Sequence, residues 1–350
     1  MALRSLFRHR RRRIVVLALL VTFVGGPLLG WIYERYAVRR DARRFPPPGQ
    51  FINVGGGRRL HYICIGGGSP LVLFEMSGFS NSMSFVTARS KIAKQTRVCS
   101  YDRVGMGWSD PGPAQIPVSM LAEDLRAVLD ELSPQARAIV VASSMGGFTA
   151  EYFARLHPDR LAGLVFVDAG NAESAATLGR HYLRVLRGAA CSATGAAGAT
   201  GLIRLFDPWQ LRRERSEQGA RSAALMYGAK PWVMLCAVVR AGETTLREFA
   251  EAPPLPRELP VTALSAETRE GLVPRALTAW IKPPNVAAEL RRTHQHLAEG
   301  SAHGVWKIVP GSDHLIASSQ PQAVVDEVLA VIRLTASAKA PAVKRRDSTR

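Results

Sequence analysis

Residues 138–148 read Ala-Ile-Val-Val-Ala-Ser-Ser-Met-Gly-Gly-Phe: a β-branched run breaks into small-x-Ser-x-Gly around Ser144 and opens a helical pattern from Phe148 to Leu156. A strand that turns this sharply into a helix leaves no room for large side chains two residues to either side, and Ala142 and Gly146 stand there. The turn lifts the Ser144 hydroxyl clear of the backbone and aims the Met145 N–H at any carbonyl the hydroxyl attacks. This is the pattern of a nucleophile elbow. Ser-x-Gly alone would be only a turn at a strand end; the flanking strand and helix give it chemical meaning.

The rest of the chain alternates in the same rhythm. Phe51 to Val54, a Gly-Gly-Gly turn and Leu60 to Ile65 predict a hairpin, followed by strands over Leu71 to Glu75 and Thr96 to Asp102. Leu121, Leu125, Val128, Leu129 and Leu132 keep one face of a helix from about Ser119 to Leu132. Leu161 to Asp168, Pro260 to Ser265 and Val305 to Val309 complete eight strands, and Ala323 to Leu334 is the last helix. Strands alternating with helices imply a mainly parallel sheet covered on both faces. Between about residues 171 and 259 the rhythm fails in an Ala- and Arg-rich stretch containing Pro208, Trp209, Pro231 and Trp232. An insertion of that length after the sixth strand predicts a helical cap over the strand ends.

The net charge of +18 would suggest nucleic acid or membrane as partner if it were spread over the body. It is not. Residues 1–44 carry eleven arginines against Glu34 and Asp41, a net +9, and 335–350 carry five Lys/Arg against Asp347, a net +4, leaving +5 between them. With no basic, aromatic-interleaved patch in the body, no nucleic-acid partner is expected. Ile14 to Tyr33 is uncharged and mostly aliphatic, long enough at helical rise to cross a bilayer, with Trp31 and Tyr33 placed for an interfacial aromatic belt. The apolar stretch is longer than a secretory signal core and has no clear small-residue cleavage site, so a retained single-pass anchor is expected. Gly25, Gly26 and Pro27 are tolerated in such a helix. The dense block Arg10 to Arg13 predicts a cytoplasmic basic tail over 1–13 and an extracytoplasmic body. Residues 34–50, with Pro46 to Pro48, read as a linker, 51–335 as one α/β domain and 336–350 as a disordered basic tail.

Two further motifs join the elbow. Ser100-Tyr101-Asp102-Arg103-Val104-Gly105-Met106-Gly107-Trp108-Ser109 resembles the Asp-Arg-x-Gly-x-Gly-x-Ser turn of the α/β-hydrolase fold superfamily, and Pro310-Gly311-Ser312-Asp313-His314 is similar to that family's late Gly-x-x-His loop. With the elbow, they stand in the family's order over roughly residues 50–335. The resemblance implies a catalytic Ser144 with His314 as its base, since a hydroxyl near neutral pH needs an imidazole to take its proton. The acid is open. Arg269 stands where many relatives carry an aspartate, so Asp168, at the end of the strand after the elbow helix, is the first candidate, then Glu267, then Glu270. Phe79 N–H, after Ser77-Gly78, would join Met145 N–H as an oxyanion hole. Asp102 and Arg103 are expected to form an ion pair that braces their turn. In this fold Cys64 and Cys99 lie on neighbouring strands and could form a disulfide, while Cys191 and Cys236 both fall in the cap; two bridges would fit an oxidising compartment, four buried thiols the cytoplasm.

The resemblance implies a serine hydrolase, carboxylesterase-like, acting on an acyl bond of a small to medium apolar substrate, with membrane lipid met through the anchor. No cofactor or metal is expected, there being no clustered Cys/His spacing. A carbon–carbon bond hydrolase, a cofactor-free peroxidase and a catalytically inactive membrane-anchored binding protein are the alternatives on the same fold.

Overall fold

The computed structural model describes residues 12–186, 189–208, 210–212, 216–268 and 285–337. Its strands are β1 (Gln50–Val54), β2 (Arg58–Ile65), β3 (Val72–Glu75), β4 (Val98–Tyr101), β5 (Ala138–Ser143), β6 (Leu161–Val167), β7 (Val261–Ala266) and β8 (Val305–Val309). They form a single eight-stranded sheet in the order β1-β2-β4-β3-β5-β6-β7-β8. β1 and β2 pair antiparallel through the glycine turn, β2 runs antiparallel to β4, and every later neighbour is parallel. β5 lies in the middle and is buried at every position, which is why its sequence is a continuous apolar run and not an alternating one. Alternate residues still divide between two cores: Val140 and Ala142 face one, Ile139 and Val141 the other.

The helices are α1 (Arg12–Arg44), α2 (Val86–Ile92), α3 (Val118–Leu132), α4 (Gly146–Leu156), α5 (Ala172–Leu186), α6 (Ala189–Ala199), α7 (Leu202–Phe206), α8 (Glu217–Met226), α9 (Ala229–Arg240), α10 (Gly242–Glu251), α11 (Val286–Glu299), α12 (Ile316–Ser319) and α13 (Pro321–Ser337). α3 turns Leu121, Leu125, Val128, Leu129 and Leu132 into the first core with Ala150 and Phe153 of α4. α2 and α13 cover the opposite face with Ala88, Ile92, Val324, Val325, Val328 and Val331. Both faces of a parallel sheet are thus closed to water. Leu125 is fully buried, so truncating it to alanine would cost about 2–5 kcal/mol.

α5 to α10 lie between β6 and β7, as a cap inserted at that point requires. A disulfide between Cys191 and Cys236 ties α6 to α9, and a second joins Cys64 to Cys99, directly opposed on β2 and β4.

The N-terminal segment differs from expectation. Residues 34–50 read as a linker, yet α1 continues unbroken from Arg12 through Arg44. Its first part is exposed on all sides, whereas Glu34, Ala37 and Asp41 are buried. The cause is a partner far along the chain: Arg204 of α7 donates to both Glu34 oxygens at 2.9 and 3.0 Å and to Asp41 Oδ2 at 2.6 Å. Charges that look like a solvated linker are the docking face of a helix. Pro27 is absorbed by a π turn over Val21–Gly25, where Gly26 N–H bonds the Val21 carbonyl. The tails expected over 1–13 and 336–350 lie outside the described residues except for Arg12 and Arg13, which open α1, and Ala336 and Ser337, which close α13.

Candidate active site

Ser144 sits between β5 and α4 with φ 51°, a left-handed conformation that a serine adopts only where its surroundings hold it. Those surroundings are tight. A Cβ on Gly146 would run into the Glu75 carbonyl, and one on Gly147 into the Gly170 carbonyl. The Ser144 carbonyl accepts from Gly147 N–H at 3.1 Å and Gly170 N–H at 2.8 Å, binding the elbow to the loop after β6.

That loop begins with Asp168, also in the left-handed region at φ 44°. Its N–H bonds the Leu264 carbonyl, and its Oδ1 accepts from Ala266 N–H at 3.1 Å, so the carboxylate is held by β7. Oδ2 lies 2.6 Å from His314 Nδ1, and His314 Nε2 lies 2.9 Å from Ser144 Oγ. A carboxylate only accepts, so Nδ1 carries the proton and Nε2 is left to accept from the serine hydroxyl. Asp168 and His314 are both buried.

Glu267 is turned elsewhere. Its Oε2 accepts from Gly311 N–H at 2.7 Å, while its own N–H and that of Thr268 bond Ser312. It braces the loop that carries His314 without touching the imidazole. Arg269 and Glu270 lie outside the described residues.

Phe79 and Met145 flank the same place. Gly78 is packed so closely on Met145 that a Cβ there would meet its sulfur at 2.5 Å, and the Phe79 ring lies 4.9 Å from that of Trp232 in the cap. Lys230 fastens the cap down by donating to the Gly107 and Ser109 carbonyls at 2.7 and 2.9 Å; burial lowers its pKa, opposed by Asp102 and Asp110.

The turn after β4 corrects another expectation. Asp102 and Arg103 do not pair with each other. Asp102 bonds His61 Nδ1 at 2.9 Å, Ser82 N–H at 2.5 Å and Trp108 N–H at 2.9 Å, whereas Arg103 faces Glu75 at 3.3 Å. Successive residues point to opposite sides as they leave a strand, which sends the two charges apart. His61 also accepts from Gly49 N–H and is fully buried, so this second His–Asp pair is sealed from any substrate. Glu75, wholly buried, has its pKa pushed up to about 7 by desolvation, against the pull of Arg103 and the Tyr101 hydroxyl.

His294 carries no motif, yet it supports the site. Its Nε2 meets the carbonyl of Ala169, next to Asp168, at 2.6 Å, and its Nδ1 meets Ser265 Oγ at 2.9 Å, which in turn accepts from Trp306. It braces the loop that begins at Asp168. Its position on the inner face of α11 is the sequence signal that could have marked it.

Among the described residues, no group of three or more His, Cys, Asp or Glu could hold a metal ion. A family model of the alpha/beta hydrolase fold matches residues 70–231, which include β3, the turn after β4 and the elbow. An esterase of Thermogutta terrifontis superposes with a TM-score of 0.53 at 22% identity, covering 82% of this chain and 98% of its own. The enol-lactonase of Burkholderia xenovorans gives a TM-score of 0.56 at 20% identity, covering 81% and 100%. The chain has the α/β-hydrolase fold. Among curated sequences, an uncharacterized protein of Schizosaccharomyces pombe is 26% identical over 248 residues, 68% of this chain and 43% of that one. The chain spans about half or less of the length of the curated relatives it matches.

Proposed function

We infer that the chain is a serine hydrolase that cleaves an ester or related acyl bond through a covalent acyl-enzyme. One observation carries this reading: a single imidazole, that of His314, bridges a strained serine hydroxyl and a buried carboxylate. Ser144 Oγ would attack the substrate carbonyl while His314 Nε2 takes its proton. Asp168 would keep Nδ1 protonated and stabilise the imidazolium that forms. Met145 and Phe79 N–H would receive the developing oxyanion, each contributing about 3 kcal/mol to the lowering of the barrier. His314 would then protonate the leaving group and afterwards draw a proton from the water that releases the acid. Trp232 and Met234, which meet Phe79 and Gly105 from the cap, would give the substrate pocket an apolar roof suited to a small or medium acyl group.

Neighbours with this fold include a protein named an esterase and one named a lactonase, both acyl-bond chemistries. The 33-residue helix Arg12–Arg44 is long and apolar enough to cross a bilayer, and its single crossing would anchor the enzyme. Two disulfides favour an extracytoplasmic body, since such bonds persist in oxidising compartments.

A fluorophosphonate probe should label the full-length protein and should fail to label Ser144→Ala. Absence of label on folded wild type would favour the inactive binding protein instead. p-Nitrophenyl esters of graded chain length then separate an esterase from a carbon–carbon hydrolase or peroxidase, which would turn over none of them efficiently.

A further inference from the structure

The cap exposes two large apolar side chains in succession, Leu205 at 70% and Phe206 at 72%, with Leu202 at 44% one turn before them. All three belong to α7, whose buried Arg204 is pinned to α1 by Glu34 and Asp41. The helix cannot rotate them inward. Its end is fixed as well, because Asp207 accepts from the buried Tyr227 hydroxyl at 2.5 Å. α7 therefore presents this apolar face permanently.

Its height along α1 says what covers the face. A Cβ on Gly30 would stand 2.5 Å from the Thr200 carbonyl, and one on Gly201 would stand 3.0 Å from the Tyr33 ring. α7 thus starts level with Trp31 and Tyr33, the exposed aromatics that end the apolar stretch, where an interfacial belt lies. Further along α1, from roughly 10 Å beyond Tyr33 at helical rise, Arg40 and Arg44 line a cleft with Arg212, Asp41 and Glu217, the buried Arg204 there being already paired to Glu34 and Asp41. An apolar ledge at the depth of the belt, with cationic side chains above it, matches the layering of acyl chains beneath anionic headgroups.

We propose that α7 lies in the headgroup–acyl boundary of the leaflet in which α1 ends, so that the cap is itself a membrane-contacting surface. The proposal rests on α1 crossing the bilayer. It extends the anchor from a tether to a rigid mount: the Arg204 bonds fix the cap to α1, and Leu205 and Phe206 fix it to the lipid.

The full-length chain, reconstituted in vesicles of phosphatidylcholine and phosphatidylglycerol, tests it. Its four cysteines are all disulfide-bonded, so one introduced thiol can carry an environment-sensitive fluorophore. Labels are placed at Phe206→Cys, at Leu20→Cys within the apolar stretch and at the exposed, remote Leu156→Cys. Phe206 should show blue-shifted emission quenched most strongly by doxyl groups near the headgroup, Leu20 by deep doxyl groups, and Leu156 by neither. If Leu20 is quenched and Phe206 matches Leu156, the cap does not touch the bilayer. A blue shift at Phe206 that no lipid quencher reaches would mean that protein covers it, and would equally overturn the proposal. Failure at Leu20 removes the anchor and the ledge together.

Discussion

Replacing Arg204 with methionine should release α1 from the cap. The guanidinium makes two bonds to Glu34 and one to Asp41, and its side chain is 3% exposed; burial opposes its charge, yet the two carboxylates hold its pKa above the usual value. Arg40 still meets Asp41 Oδ1 at 2.8 Å, so the methionine variant strands chiefly Glu34. Removing one partner of a buried pair costs about 3–5 kcal/mol, because the remaining charge stays desolvated. Undocking offers an escape. The loss should therefore appear first as local opening of residues 34–44 and not as global unfolding. Hydrogen exchange on the full chain in nanodiscs reads it directly: a loss of about 3 kcal/mol would speed exchange of these amides by roughly a hundredfold. The double variant Arg204→Met/Glu34→Gln should recover most of the protection, since a neutral amide needs no cation. Unchanged exchange in Arg204→Met would refute the claim that this pair holds the helix, and so would a loss that Glu34→Gln leaves unrelieved.

Three other outcomes follow from the same structure. Asp168→Asn should lower kcat for a p-nitrophenyl ester about 10⁴-fold by allowing the wrong imidazole tautomer, while Glu267→Gln, which only loosens the Gly311 bond, should cost far less; equal losses would undo the assignment. Glu75, with a folded pKa raised to about 7 from an ordinary 4.5, binds its proton more tightly when folded; its stabilising contribution is complete below about pH 4.5 and is lost as pH rises through 7. Wild type should therefore lose up to about 3 kcal/mol relative to Glu75→Gln between pH 5 and 8, and parallel melting curves would contradict this. Replacing Cys64 and Cys99 by alanine, which frees a loop with a sequence separation of 35, should cost about 2–4 kcal/mol in chemical denaturation, whereas an unchanged midpoint would show that the β2–β4 ladder suffices.

What could be read from the sequence, and what could not, divides by the distance over which each signal acts. The elbow is legible because everything that makes it is local: an apolar strand, small residues at 142 and 146, and a helix that starts at once. His314 is legible because a glycine turn after a strand is equally local. Asp168 is a weaker reading, since a strand-end aspartate is more often a cap or turn residue, and only its approach to His314 across 146 positions distinguishes it. His61 and His294 carry no local sign of their partners, which come from other strands and loops. The largest misreading, the linker over 34–50, has the same origin on a larger scale. Glu34, Asp41 and the arginines around them look like a chain leaving the membrane for water, because composition cannot tell a solvated charge from a paired one. The pairing residue stands 170 positions from Glu34, in a segment that pattern reading resolves only as cap. The spacing of Glu34, Ala37 and Asp41, three and then four apart, nonetheless puts two carboxylates and a small residue on one helical stripe. An acidic stripe continuing an apolar helix is therefore better read as a docking face in search of a distant cation. In this chain that cation is Arg204, and the alignment of the cap with α1 follows from it.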